Sequence, residues 1–325
     1  MMYSLDEVGI LPSSCPTQIN SRKQVDCFTN NNKLPVFVAP MTCIINEDNF
    51  TKFLTAGAKV IIPRKEDNLG VRLRWCQTIR CAFSLSEFKQ YFVDEPRFET
   101  AIVLIDVANG HMQELYNLVK AAKVKHKYIN IMVGNIAHPN LYYTCYDAGV
   151  DYVRVGIGGG NGCLTSVNTG VHASMHWLLT EIKKIQETIK LTPNAHSLPK
   201  VVADGGIDTI AKMIKCLALG ADYVMCGKLF AECNEACGEI LPGGAYRVYY
   251  GMASEKGKED LGLNMTNIEG CIKHVQIKYP VKRFLTLFEE ALRSAMSYTG
   301  CFTLEQFKNV ETKIMSLNEF KAFDK

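Results

Sequence analysis

The chain has 325 residues, enough for two ordinary domains or one large α/β barrel. Its 47% hydrophobic and 21% charged residues describe a globular protein, and no apolar run approaches the roughly 18–20 residues of a membrane helix. A net charge of +3 is too mild to argue for nucleic acid or an acidic membrane surface, yet it does not oppose a phosphorylated small molecule.

The opening MMYSLDEVGILPSSCP has no basic region followed by an apolar stretch, so it does not read as a secretory signal. The 13 cysteines are odd in number and no two stand in CxxC spacing, which argues against a disulfide framework or a zinc ribbon. Cys76, Cys216 and Cys226 lie inside apolar segments and read as buried thiols, so a cytosolic protein is expected. Eight β-rich runs then follow in chain order. The first four are Leu34 to Pro40, Ala58 to Pro63, Cys81 to Ser86 and Ala101 to Val107. The second four are Ile129 to Asn135, Tyr152 to Ile157, Lys200 to Gly206 and Tyr223 to Lys228. Most are apolar on both faces, as buried parallel strands are. Between them, Leu115 to Lys123, Trp177 to Ile189 and Ile210 to Gly220 carry helical apolar spacing, and a last helix spans about Arg283 to Met296. Gly149 and Gly220 fall where a helix stops before the next strand. Strands alternating with helices over residues 1–325 predict a single (β/α)8 barrel with no inserted domain.

Polar and glycine residues gather at the C-terminal ends of these strands, the end where barrels build sites. After the sixth strand comes GIGGGNGCLTSVNTG, Gly156 to Gly170, a loop able to turn tightly and present bare N–H groups to a phosphate or a cation. It is not a dinucleotide fingerprint, because Asn161 takes the third glycine position, and no GxxxxGK[ST] occurs. Cys163 lies within it among glycines and Asn161, which leave its thiol accessible and make it a candidate nucleophile. ADGGI, ending in Ile207, and MCGKLF, holding Gly227, sit where barrel loops bind phosphate through backbone amides. Asp204 suits a ribose hydroxyl better than a phosphate. The segment Tyr249 to Asp260 reads as a mobile Gly/Lys/Glu stretch, and Glu255 in it is either a surface carboxylate or an acid/base group on a flap. His172 and His176 lack a third ligand and read as loop and surface residues.

These motifs, in this order, resemble the IMP dehydrogenase/GMP reductase family. LPSSCPTQINSR, LPVFVAPM, DVANGH, GIGGGNGCLT, ADGG, YYGMASE and the final SYTG carry the resemblance over nearly the whole chain. The short connection between strands two and three, the DVANGH form, and a short segment after YYGMASE without an Arg-Tyr pair resemble the reductase branch. The resemblance implies NADPH-dependent reductive deamination of GMP to IMP and ammonia. Cys163 would attack C2 of the purine, and Thr165 with Glu255 would relay the proton. Gly158, Gly160, Gly205, Gly206, Gly227 and Tyr250 would surround the 5′-phosphate, with Asp204 at the ribose. Gly251, Met252 and Ser254 would complete the substrate side on a flap around 251–275. Asp106 and Asn109 would line the base and nicotinamide side, and the basic cofactor residue falls at Arg64 or Lys65. The carbonyls of Gly158, Gly160 and Cys163 could ligate potassium. A homotetramer is implied as well.

Four positions depart from the family pattern. Gly159 replaces a proline, Asn161 a serine that contacts phosphate, and Ser166 a basic residue. Lys228 replaces a small residue and either adds a charge to the phosphate or points away. The competing readings are an NAD-dependent dehydrogenase of the same family, a nucleotide-binding regulator without catalysis, and a flavin-phosphate barrel.

Overall fold

Runs that are apolar on both faces become the eight strands of one parallel sheet in the computed structural model, which describes residues 3–193, 195–266 and 268–315. The strands are β1 (Val36–Val38), β2 (Ile61–Ile62), β3 (Arg80–Phe83), β4 (Thr100–Asp106), β5 (Tyr128–Ile136), β6 (Tyr152–Val155), β7 (Lys200–Asp204) and β8 (Tyr223–Cys226). Each of β2 to β7 pairs with the next in sequence, and β8 returns to pair with β1. The ring closes between β1 and β2 at Lys59, whose carbonyl accepts from the Val38 amide and whose amide donates to the Val36 carbonyl, both at 2.9 Å. All eight runs read from the sequence are strands, with ends within a few residues of those expected.

A helix follows each strand: α1 (Phe50–Ala56), α2 (Leu69–Trp75), α3 (Leu85–Phe88), α4 (Gln113–Lys125), α5 (Leu141–Asp147), α6 (Met175–Lys190), α7 (Ile210–Ala218) and α8 (Val281–Tyr298). Side chains at period two separate the barrel into two cores. Phe37, Ile61, Ala82, Leu104, Met132, Val202 and Met225 fill the interior. Their neighbours along each strand, such as Val36, Ile62, Phe83 and Val103, pack outward under the helices. Gly149 and Gly220, at φ of 77° and 109°, turn the chain out of α5 and α7 as the sequence anticipates.

The lower end, at the N-terminal ends of the strands, is sealed by Arg80, Lys59, Tyr152 and Tyr223. Arg80 donates to the Val103 carbonyl at 2.8 Å and to Asn130 Oδ1 at 2.5 Å, with its guanidinium 4.6 Å from the Tyr152 ring centre. Lys59 Nζ lies 5.2 Å from the Tyr223 ring centre. Burial lowers the pKa of Lys59 to about 8 and that of Arg80 to about 10.

Elements beyond the eight strands and their helices were not expected, among them an antiparallel pairing of Val8–Ile10 with Thr312–Ile314. Tyr249 to Asp260, read from sequence as a mobile stretch, is the end of a strand followed by a helix at Glu255–Asp260. The strand, β9 (Tyr246–Tyr250), forms an antiparallel ribbon with β10 (Ile272–Gln276) beside the upper mouth of the barrel.

Candidate active site

The upper ends of the strands enclose a cavity of about 610 Å³. Asp106 stands at the end of β4, Arg154 within β6 and Asp204 at the end of β7, and all three line it. Arg154 joins the other two: its Nη1 donates to Asp106 Oδ1 at 3.0 Å and its Nη2 to Asp204 Oδ2 at 2.8 Å. Arg64 Nε reaches Asp106 Oδ2 at 3.4 Å, and Asn135 Nδ2 donates to Asp204 Oδ2 at 2.8 Å. Burial works against ionising Asp106, but Arg64 and Arg154 beside it prevail and hold its carboxyl below the usual range. Burial likewise opposes the charge on Arg154, and the two carboxylates outweigh it and raise its pKa.

The cysteine loop leaves β6 at Gly156. A Cβ there would stand 2.1 Å from the Asp204 carbonyl oxygen, and φ is 125°, so only glycine lets the loop pass over the end of β7. Cys163 is half-buried, and its Sγ donates to Thr165 Oγ1 at 3.3 Å. Thr165 Oγ1 in turn donates to Glu269 Oε2 at 2.6 Å. The glutamate arrives through chain pairing: Leu164 N donates to the Glu269 carbonyl at 2.7 Å, and Cys271 N to the Gly162 carbonyl at 2.9 Å. The stretch leading into β10 therefore lies antiparallel on the cysteine loop, with Cys163 opposite Gly270. Thiol, hydroxyl and carboxylate form one hydrogen-bonded line at the cavity wall, along which a proton can pass.

Away from the thiol, bare backbone converges. A Cβ at Gly159 would lie 3.4 Å from the Gly205 carbonyl carbon and 3.5 Å from the Gly206 amide nitrogen, so the cysteine loop and the loop after β7 stand face to face. Gly227 ends β8 in contact with Tyr249, whose hydroxyl would be 2.8 Å from any Cβ at that position. Gly160, Gly205, Gly206, Gly227 and Tyr249 all line the cavity. Their N–H groups and the phenol make a cradle of uncharged donors suited to an anion.

Most residues expected from the sequence meet here: Asp106, Cys163, Thr165, Asp204, Gly158, Gly160, Gly205, Gly206, Gly227, Gly251, Met252 and Arg64. Five do not. Glu255 is exposed at the start of its helix and does not line the cavity; the carboxylate on Thr165 is Glu269. Tyr250 points the opposite way from Tyr249, as neighbours on a strand must, and its hydroxyl donates to Asp260 Oδ2 at 2.7 Å. That carboxylate also receives the Thr42 hydroxyl, which ties the Glu255–Asp260 helix to the loop after β1. Ser254 is buried as the cap of that helix, its hydroxyl donating to the Gly251 carbonyl at 2.6 Å. Asn109 is exposed, and its Oδ1 accepts from the His111 amide within its own turn. Lys65 faces solvent and pairs with Asp67, so of the two basic candidates Arg64 is the one in the cavity.

Sequence reasoning missed Glu269, Tyr249 and Arg154 as site residues. The departures also resolve in part. Asn161 Oδ1 accepts from Lys273 Nζ at 3.3 Å, and Ser166 Oγ donates to the Gly158 carbonyl at 3.1 Å. With the Gly160 carbonyl accepting from the Cys163 amide at 3.0 Å, each of these two carbonyls keeps one lone pair for a cation such as potassium. The buried thiols differ from Cys163 in setting: burial pushes Cys43 and Cys76 up to about 12, which leaves them protonated and inert.

Fold and site together define a (β/α)8 barrel with a thiol, a hydroxyl and a carboxylate aligned in the cavity of its upper face. The chain belongs to the IMP dehydrogenase / GMP reductase family, whose domain matches residues 93–320. It is similar to the GMP reductase of Helicobacter pylori, with 28% identity over 338 residues covering 99% of this chain and 98% of that protein. The GMP reductase of Bacillus subtilis is also 28% identical, over 336 residues with the same coverage of both chains. That of Staphylococcus saprophyticus is 27% identical over 337 residues.

Proposed function

We propose that this protein reduces GMP to IMP and ammonia with NADPH, through a covalent cysteine adduct. The observation that carries the reading is the line Cys163–Thr165–Glu269, with bonds of 3.3 and 2.6 Å, on the wall of a nucleotide-sized cavity. Glu269, through Thr165, takes the thiol proton as Cys163 Sγ bonds to C2 of the purine. The same path returns a proton to the 2-amino group, so that ammonia leaves and Cys163 stays bound to C2. NADPH, when bound, supplies the hydride that C2 accepts. The C2–S bond then breaks, the electron pair returns to sulfur, and IMP departs.

The remaining residues bind and orient. Asp204, held by Arg154 and Asn135 through one oxygen, offers the other to the ribose hydroxyls. The glycine amides and Tyr249 take the 5′-phosphate, Gly251 and Met252 border the base, and Asp106 stands between the purine and the nicotinamide. Arg64 supplies a positive charge on the cofactor side. The segment 251–275 acts as the flap that brings Glu269 to the thiol. A potassium ion, if bound, would sit against the Gly158, Gly160 and Cys163 carbonyls and stiffen the loop. The working form is a cytosolic homotetramer, which sedimentation of the purified protein tests for assembly.

The deciding experiment follows NADPH absorbance with GMP beside NAD reduction with IMP, for wild type and Cys163→Ala. GMP-dependent NADPH oxidation with ammonia release, lost in Cys163→Ala, is expected. Turnover of IMP with NAD alone would replace this reading with a dehydrogenase.

A further inference from the structure

The anion cradle is built from uncharged donors, and Lys228 breaks that pattern. It follows Gly227 directly at the end of β8, lines the same cavity, and has a side chain 31% exposed. Its nearest carboxylate, Glu232, lies 3.8 Å away, at the outer limit of an ion pair. Glu232 does not depend on that contact. Its side chain is 3% exposed, its Oε2 meets Lys278 Nζ at 2.9 Å, and the Tyr279 hydroxyl lies 3.5 Å away. Two other lysines line the cavity: Lys258, which stands on the Glu255–Asp260 helix across from β8, and Lys212, which is held between Asp208 at 3.0 Å and Asp6 at 3.2 Å. Lys212 has its charge opposed by two carboxylates, whereas Lys228, the lysine that adjoins Gly227 of the cradle, can turn to a ligand at little cost.

We propose that Lys228 grips the terminal phosphate of the bound nucleotide and sets the site's preference for a 5′-monophosphate over the uncharged nucleoside. This rests on the nucleotide reading above and adds to it a charged contact where the family pattern has a small residue. A lysine ammonium is a compact, rotatable point charge, suited to a phosphate reached from one side. Because the phosphate's second ionisation falls near a pKa of about 6, Lys228 favours the dianion, and binding weakens as pH falls through that value.

The test measures GMP and guanosine binding by calorimetry, without cofactor, for the whole chain and for Lys228→Gln and Lys228→Gly, beside steady-state turnover. GMP affinity should fall on the order of tenfold to a hundredfold in both variants, with guanosine binding unchanged. The KM for GMP should rise with it while kcat moves by less than roughly threefold, and the weakening below about pH 6 should flatten. Unchanged GMP affinity with a lowered melting temperature would overturn the proposal, leaving Lys228 as a partner of Glu232 alone. GMP binding that depends on Lys228 without any turnover keeps this inference and removes the reductase reading. A wild type that binds no GMP removes both.

Discussion

Two arginines point into the barrel, one toward each end, and their partners differ in kind. Arg154 at the upper end is bonded to two carboxylates, Asp106 and Asp204, and shares Asp106 with Arg64. Arg80 at the lower end meets a carbonyl, an amide oxygen and an aromatic ring. Carboxylates raise the pKa of the first, while burial among neutral groups lowers that of the second to about 10. The lower end accepts an unmatched cation because nothing needs to bind there; carbonyls and rings hold it in place. At the upper end Arg154 is matched by two carboxylates and has no spare charge for the phosphate of a substrate. A phosphate must then be met elsewhere on the wall, which is where the glycine amides, Tyr249 and Lys228 lie.

The largest expected effect lies within the upper end. Glu269→Gln should lower kcat by about 10²–10⁴-fold in the GMP assay, while Glu255→Gln should run near wild type. The reverse result would restore Glu255 to the relay. Next come the two arginines. Arg154→Met strands two carboxylates and should cost about 3–5 kcal/mol in denaturant unfolding, with loss of activity. Arg80→Met removes the donors that Arg80 gives to the Val103 carbonyl and Asn130 Oδ1 and should cost about 1–3 kcal/mol, with kcat unchanged. Equal losses of stability and activity in both variants would erase the distinction between the ends.

A further effect is a slope. Lys59 has a folded pKa of about 8 against 10.5 for the ordinary side chain, so between these values the unfolded chain binds more protons. Stability should therefore rise with pH from about 8 toward 10.5, with the burial cost fully present below 8. Lys59→Met should flatten that rise, read as the difference between melting curves of variant and wild type across the window.

The barrel was legible because its strands are buried on both faces and written as unbroken apolar runs, and because Gly149 and Gly220 punctuate the helices. Cys163 was legible because five glycines surround a thiol at a strand's C-terminal end. Tyr249 and Tyr250 show where reading stopped: both are aromatic, adjacent and equally plausible, and only the pairing of β9 decides which faces the cavity. Glu269 left no local mark, since it meets Thr165 through a backbone pairing that spacing does not encode. Arg154, a single charge in an apolar strand, acquires meaning only when the ends of β4 and β7 converge on it.

That pairing has a consequence for how the molecule comes into being. Every pairing in the ring except that of β8 with β1 joins strands adjacent in sequence, so the barrel can grow by short closures. The bond from Thr165 to Glu269 spans 104 residues and joins two loops outside the ring. Its closure entropy must be met by contacts already formed around it. The ring is in this sense a scaffold that exists before its chemistry does. A chain refolded from denaturant would regain its helical signal first and its reactive thiol last.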